Sequence, residues 1–132
     1  MAILRRFLYY TAALWTVCGL GVAVVPHWVL VGIFKQVEYP DYAYVRVTGA
    51  MSIGLALLMV LVAQRLDDLW WFSWAFALTG AAIVTITTLH ALFGVPQGSS
   101  AVLWWLFAGV NAVLTAGVLV GMAMAGQEKP FA

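Results

Sequence analysis

The spacing of charges constrains this chain more tightly than any motif in it. After Arg6 no Asp, Glu, Lys or Arg occurs until Lys35, after Arg46 none until Arg65, and after Asp68 none until Glu128. A helix needs about 20 mainly apolar residues to cross the hydrocarbon core of a bilayer. The last gap is about three times that length, so it holds two crossings. Gly94-Val95-Pro96-Gln97-Gly98-Ser99-Ser100 divides it, because proline removes a backbone donor and glycine permits positive φ. Spans are therefore expected near Arg5–Val25, Tyr42–Gln64, Leu69–Phe93 and Ala101–Ala125, as one transmembrane domain.

Composition supports lipid as the solvent. Of the 132 residues, 65% are hydrophobic and 8% charged, whereas a soluble domain carries roughly 25% charged residues and needs them for its polar shell. Backbone amides in lipid must be satisfied within the segment or in a closed barrel. The runs lack the period-2 alternation of barrel strands, so the expected fold is all-α, a four-helix membrane bundle. A net charge of +1 gives no electrostatic footprint for nucleic acid. Cys18, the single cysteine, reads as a small apolar side chain. Arg5-Arg6 before Phe7-Leu8 has the outline of a twin-arginine signal. The apolar run Phe7–Val25 is too long for a usual signal core, and the first span is expected to stay in the protein.

Orientation follows from the basic residues at the span ends. Arg5, Arg6, Arg65 and Lys129 share one side, Lys35 and Arg46 the other. This predicts cytoplasmic termini, with Pro26–Asp41 and Gly94–Ser100 as outer loops. Asp67 or Asp68 is expected to cap the third helix. Phe7, Tyr9, Tyr10, Trp70, Trp71 and Trp74 fall at the inner edge, and Trp28, Tyr39, Tyr42, Tyr44, Trp104 and Trp105 at the outer edge, the interfacial belt of amphipathic rings. Trp15 lies near mid-membrane, either lipid-facing or packed, or else the wall of a ligand pocket. In the first outer loop Pro26 can open a helix, and Leu30, Ile33, Phe34 and Val37 share one face. A short interfacial helix is expected over about 27–38.

Small residues spaced by four mark flat helix faces: Gly117 and Gly121 continued to Ala125, Ala50 and Gly54, and Ala77 and Ala81. Such faces allow close approach in lipid, within the chain or with a partner subunit. Asn111 is the strongly polar side chain deepest in a span, and Thr79, Thr85, Thr87 and Thr88 add weaker polarity to the third. Asn111 bonds either to a threonine or carbonyl, or to a bound substrate or cofactor.

Topology also brings His27, Glu38, Asp41, Arg46 and His90 into one outer layer. Three readings of that layer stand. The histidines bond carbonyls or headgroups while Arg46 pairs with Glu38 or Asp41. Alternatively, His27 and His90 ligate haem b or, with a carboxylate, a metal ion. Finally, the layer binds a quinone or lipid headgroup between aromatic walls. No Cys-x-x-Cys or His-x-x-x-His spacing favours a metal.

No charged side chain lies deep in any span, whereas proton-coupled transport relies on one. Small multidrug exporters are similar in size and span count, but that family uses an acidic residue in its first span, and Phe7–Val25 has none. No nucleophile–base arrangement shares a layer, and no phosphate-binding glycine loop follows a strand. Pro26, Ile33-Phe34, Pro40, Arg46-Val47-Thr48-Gly49-Ala50 and Gly54-Leu55 resemble the DoxX-like group of small four-span bacterial membrane proteins. The resemblance covers residues 26–60, about a quarter of the chain. It implies a four-helix membrane bundle, sometimes a partner of redox enzymes, and carries over no catalytic residue. The expected function is a non-catalytic accessory subunit of a larger respiratory or photosynthetic membrane complex, in contact with lipid and with other subunits or itself. A haem-, metal-, quinone- or lipid-binding protein is the alternative, and a passive small-molecule transporter the third reading.

Overall fold

A computed structural model describes residues 1–128; Lys129, counted above for orientation, lies outside them. Every regular element among the described residues is helical. Four helices are long and apolar enough to cross a membrane: the first, Ala2–Val24; the second, Ala43–Gln64; the third, Leu66–Gly94; and the fourth, Val102–Glu128. The shortest has 22 residues and reaches about 33 Å at about 1.5 Å per residue, enough for a hydrocarbon core of about 30 Å. The chain is a small multi-pass membrane protein with an all-α, four-helix fold.

The third helix begins at Leu66, not Leu69, because one residue suffices for the connection. Arg65 leaves helical geometry at φ −123°, and Leu66 is fully buried directly after it. Its N-cap residue, Arg65, makes no side-chain capping hydrogen bond. Asp68, expected as a cap, accepts instead from Arg65 Nη2 at 3.1 Å. Both Asp67 and Asp68 lie in the first turn, where the positive end of the helix dipole favours carboxylates. The helix tightens to a 3₁₀ turn at Trp70–Phe72 and widens to a π turn at His90–Gly94.

The first helix is central. It packs on the second and the fourth, and the third packs on the fourth. The second and third helices, though joined by a single residue, meet these neighbours more than each other. Buried positions on the first helix are Leu4, Leu8, Thr11, Ala12, Trp15 and Gly19, one stripe at helical period. The densest packing is at the end carrying the termini, where Leu4, Leu8, Met59, Ala63, Leu66 and Ala125 are sealed. Outward faces are apolar as well: Val17, Leu57, Leu78, Ile86, Leu106 and Val113 are each more than half exposed. A water-soluble fold could not present such a surface.

Glycine sets the helix crossings. A Cβ on Gly49 would stand 2.5 Å from the Gly19 carbonyl oxygen and 2.9 Å from the Ala23 nitrogen. One on Gly121 would stand 2.6 Å from Leu4 Cα, and one on Gly117 would strike the Phe7 ring. Gly117 and Gly121 thus seat the fourth helix on the first. Ala50 and Gly54 instead face outward, and nothing lies within 4 Å of a Cβ on Gly54. Ala77 is buried and Ala81 exposed; the third helix meets the fourth where Gly80 abuts Thr115.

The first loop departs from the expected helix over 27–38. Pro26 opens a short helical stretch that passes into a π turn at Trp28–Ile33. It closes with Phe34 N–H donating to the Val29 carbonyl at 3.2 Å. Lys35 then takes φ +54°, a left-handed conformation that ends a helix. Of the expected apolar face, Leu30 and Phe34 are half-buried, while Ile33 and Val37 stay exposed.

Candidate functional site

The loop end gathers most of the polar residues singled out from the sequence, in two hydrogen-bonded groups. The first group is built on the end of the first helix. His27 Nε2 and Glu38 Oε1 lie 2.9 Å apart, and the His27 ring meets Tyr42 edge-on with centroids 5.9 Å apart. Tyr42 Oη accepts from the Tyr39 backbone N–H at 3.3 Å. Asp41 Oδ1 accepts from the Ala43 N–H at 3.0 Å, which opens the second helix and leaves that carboxylate committed to the backbone. Both partners of the His27–Glu38 pair are exposed, at 59% and 70%, so the contact contributes little to stability.

Arg46 does not pair with Glu38 or Asp41. Its Nη1 donates to the carbonyls of Ala23 at 2.9 Å and Val24 at 3.3 Å, the free acceptors that close the first helix. Arg5, at the opposite end, mirrors it: Nε donates to the Ala63 carbonyl at 3.0 Å, near the end of the second helix. Each helix of this antiparallel pair thus sends an arginine from its first turns to its neighbour's C-terminus. A cation there also faces the negative end of the helix dipole.

The second group centres on Gln36, a residue that no sequence pattern marks. Its Nε2 donates to the carbonyls of Ser100 at 2.7 Å and Phe34 at 3.0 Å, and its Oε1 accepts from Trp104 Nε1 at 3.2 Å. Ser100 N–H donates to the Lys35 carbonyl, and Val37 N–H to Ser99 Oγ. The two loops are therefore pinned together across the mouth of the bundle. His90 packs against Trp104, with ring centroids 4.2 Å apart, and its edge lies against Gly94. His27 joins Glu38 and Tyr42, whereas His90 joins Trp104. No group of three or more His, Cys, Asp or Glu among the described residues could hold a metal ion.

Deep in the bundle, Asn111 is buried at 3% exposure. Its Nδ2 donates to the Phe107 carbonyl at 2.9 Å, and its Oδ1 accepts from Trp15 Nε1 at 3.2 Å. Trp15 is thereby packed inward and bonded, which resolves its mid-membrane placement. Thr85 is exposed and donates to the Ala81 carbonyl of its own helix at 2.9 Å; neither it nor Thr88 bonds Asn111. The buried threonine of the third helix is Thr87, donating to the Ile83 carbonyl. Around Asn111 lies a cavity of about 10 Å³ with Thr11, Thr115 and Gly80 in its wall.

The roles of Gln36 and Gly49 are not visible in the sequence, for different reasons. Gln36 carries no pattern until the loops meet. Gly49 sits beside the Ala50 stripe, and one residue is about 100° of helix rotation. No family model matches the chain, nor does any curated protein or solved structure.

Proposed function

We propose that this protein is a non-catalytic accessory subunit of a larger complex in a bacterial cytoplasmic membrane, with both termini in the cytoplasm. The observation that carries the reading is the outward turn of Ala50 and Gly54. The second helix spends Gly49, Ala56, Met59 and Ala63 on the bundle and leaves a second small-residue face uncovered, with open space at Gly54. In lipid the hydrophobic effect no longer drives helices together, so close backbone approach at small residues does. A shallow apolar groove of about 380 Å³ around Gly109 on the fourth helix, walled by Trp105 and Val113, offers another such face. The central cavity of about 10 Å³ gives no solute path, which weighs against transport. The resemblance of residues 26–60 to the DoxX-like group points the same way, toward a redox complex as host.

Purification from native membranes in mild detergent tests this. The expected result is co-migration with larger membrane subunits, lost in Gly54→Leu while the variant still inserts and keeps its own thermal midpoint. Migration of the unaltered protein as a lone small species overturns the proposal.

A further inference from the structure

We infer that the middle of the bundle binds one ordered water molecule, held between Asn111 and Thr115 of the fourth helix and Thr11 of the first. The cavity beside these three side chains measures about 10 Å³, the space of about one water-sized probe.

Hydrogen-bond capacity points to the same occupant. The Asn111 amide has two N–H donors and two acceptor positions. One donor goes to the Phe107 carbonyl and one acceptor position to the Trp15 indole, so one of each is left. Thr11 donates its proton to the Phe7 carbonyl at 2.7 Å, and its oxygen keeps acceptor capacity. Thr115 is directed at Gly80, and its hydroxyl makes no hydrogen bond within the described residues. Thr48, Thr79 and Thr85, by contrast, donate to carbonyls of their own helices. A buried water takes about two to four polar partners. It can accept from Asn111, donate to its Oδ1 or to Thr11, and satisfy Thr115.

The alternatives fit less well. An apolar cavity stays dry, but this one brings three polar side chains together at the depth where an unpaired polar group is most costly. A metal cation would need several oxygen ligands and usually carboxylates, and none stands in the wall. The water would weld three helices at one point. Thr11 belongs to the first, Asn111 and Thr115 to the fourth, and Gly80, from the third, closes the side.

Asn111 is the sole asparagine in the chain, so its side-chain amide is a distinct reporter. In ¹⁵N-labelled protein in deuterated bilayers, this amide is expected to show a cross-peak to water. The cross-peak should persist in Thr115→Ser and weaken several-fold in Thr115→Val. The thermal midpoint should fall in Thr115→Val and hold in Thr115→Ser. Lack of the cross-peak in the unaltered protein overturns the inference. So does a cross-peak indifferent to Thr115→Val, or a midpoint that rises in that variant.

Discussion

Single glycines decide how near the helices of this protein come to one another. At Gly49 an added methyl group would press on the backbone of the first helix at Gly19 and Ala23, and backbone cannot rotate aside as a side chain can. Overpacking of this kind costs about 1–3 kcal/mol. Gly49→Ala is therefore expected to lower the unfolding free energy in detergent or bilayers by that amount. Gly54→Ala, with open space around it, should be neutral or slightly stabilising, since alanine favours helix over glycine by up to about 1 kcal/mol. Equal losses in the two variants would mean that the second helix is rotated from the position described. The arginines work at the same scale. Arg46 and Arg5 each satisfy carbonyls at a neighbour's helix end, a charge–dipole contact of about 0.3–1 kcal/mol on an exposed surface. The sequence shows both residues as markers of the membrane edge, but it does not show their acceptors, because a helix end offers no distinctive side chain to pair with.

Among the elements, the two loops act as one. The Gln36 side chain reaches Ser100 and Trp104, and Lys35 and Val37 add backbone bonds to the same partner loop. Gln36→Leu is expected to remove the two side-chain hydrogen bonds that cross between the loops. Amide exchange should then rise several-fold at Gln36, Val37 and Ser100, while exchange in the four helices stays unchanged. Exchange at those amides no faster than before would show that the backbone bonds alone hold the loops. Both first-loop and second-loop helices end in π turns, Trp28–Ile33 and His90–Gly94, each beginning beside a histidine. The expected interfacial helix stops short because Lys35 turns left-handed, bringing its carbonyl to Ser100. That choice is tertiary, since a lysine at this position has no local preference for positive φ.

At the scale of the molecule, the bundle is two hairpins joined along the first and fourth helices. Ser99 lies at the loop end and Asp67 at the end carrying the termini. In a Cys18→Ser background, Ser99→Cys and Asp67→Cys are expected to react with a membrane-impermeant maleimide from opposite faces, with Asp67→Cys protected in intact cells. Labelling of both from one face would refute four passes, and labelling of Asp67→Cys from outside intact cells would reverse the proposed orientation.

Charge-free runs and the Gly94–Ser100 break determine the number of spans and the fold class, because expulsion of ions from hydrocarbon acts on each segment independently of its neighbours. The same local rule places Asp67, Asp68, Arg46 and the aromatic rings at the membrane edges. Which face of each helix turns inward is not local. In lipid both faces are apolar, so Ala50-x-x-x-Gly54 and Gly117-x-x-x-Gly121 look alike as sequence, yet only the second meets another helix. The Trp15–Asn111 bond, the Gln36 pin and the different partners of His27 and His90 likewise exist only once the helices have chosen their neighbours. Shape and hydrogen bonding between segments, not hydrophobicity, make that choice.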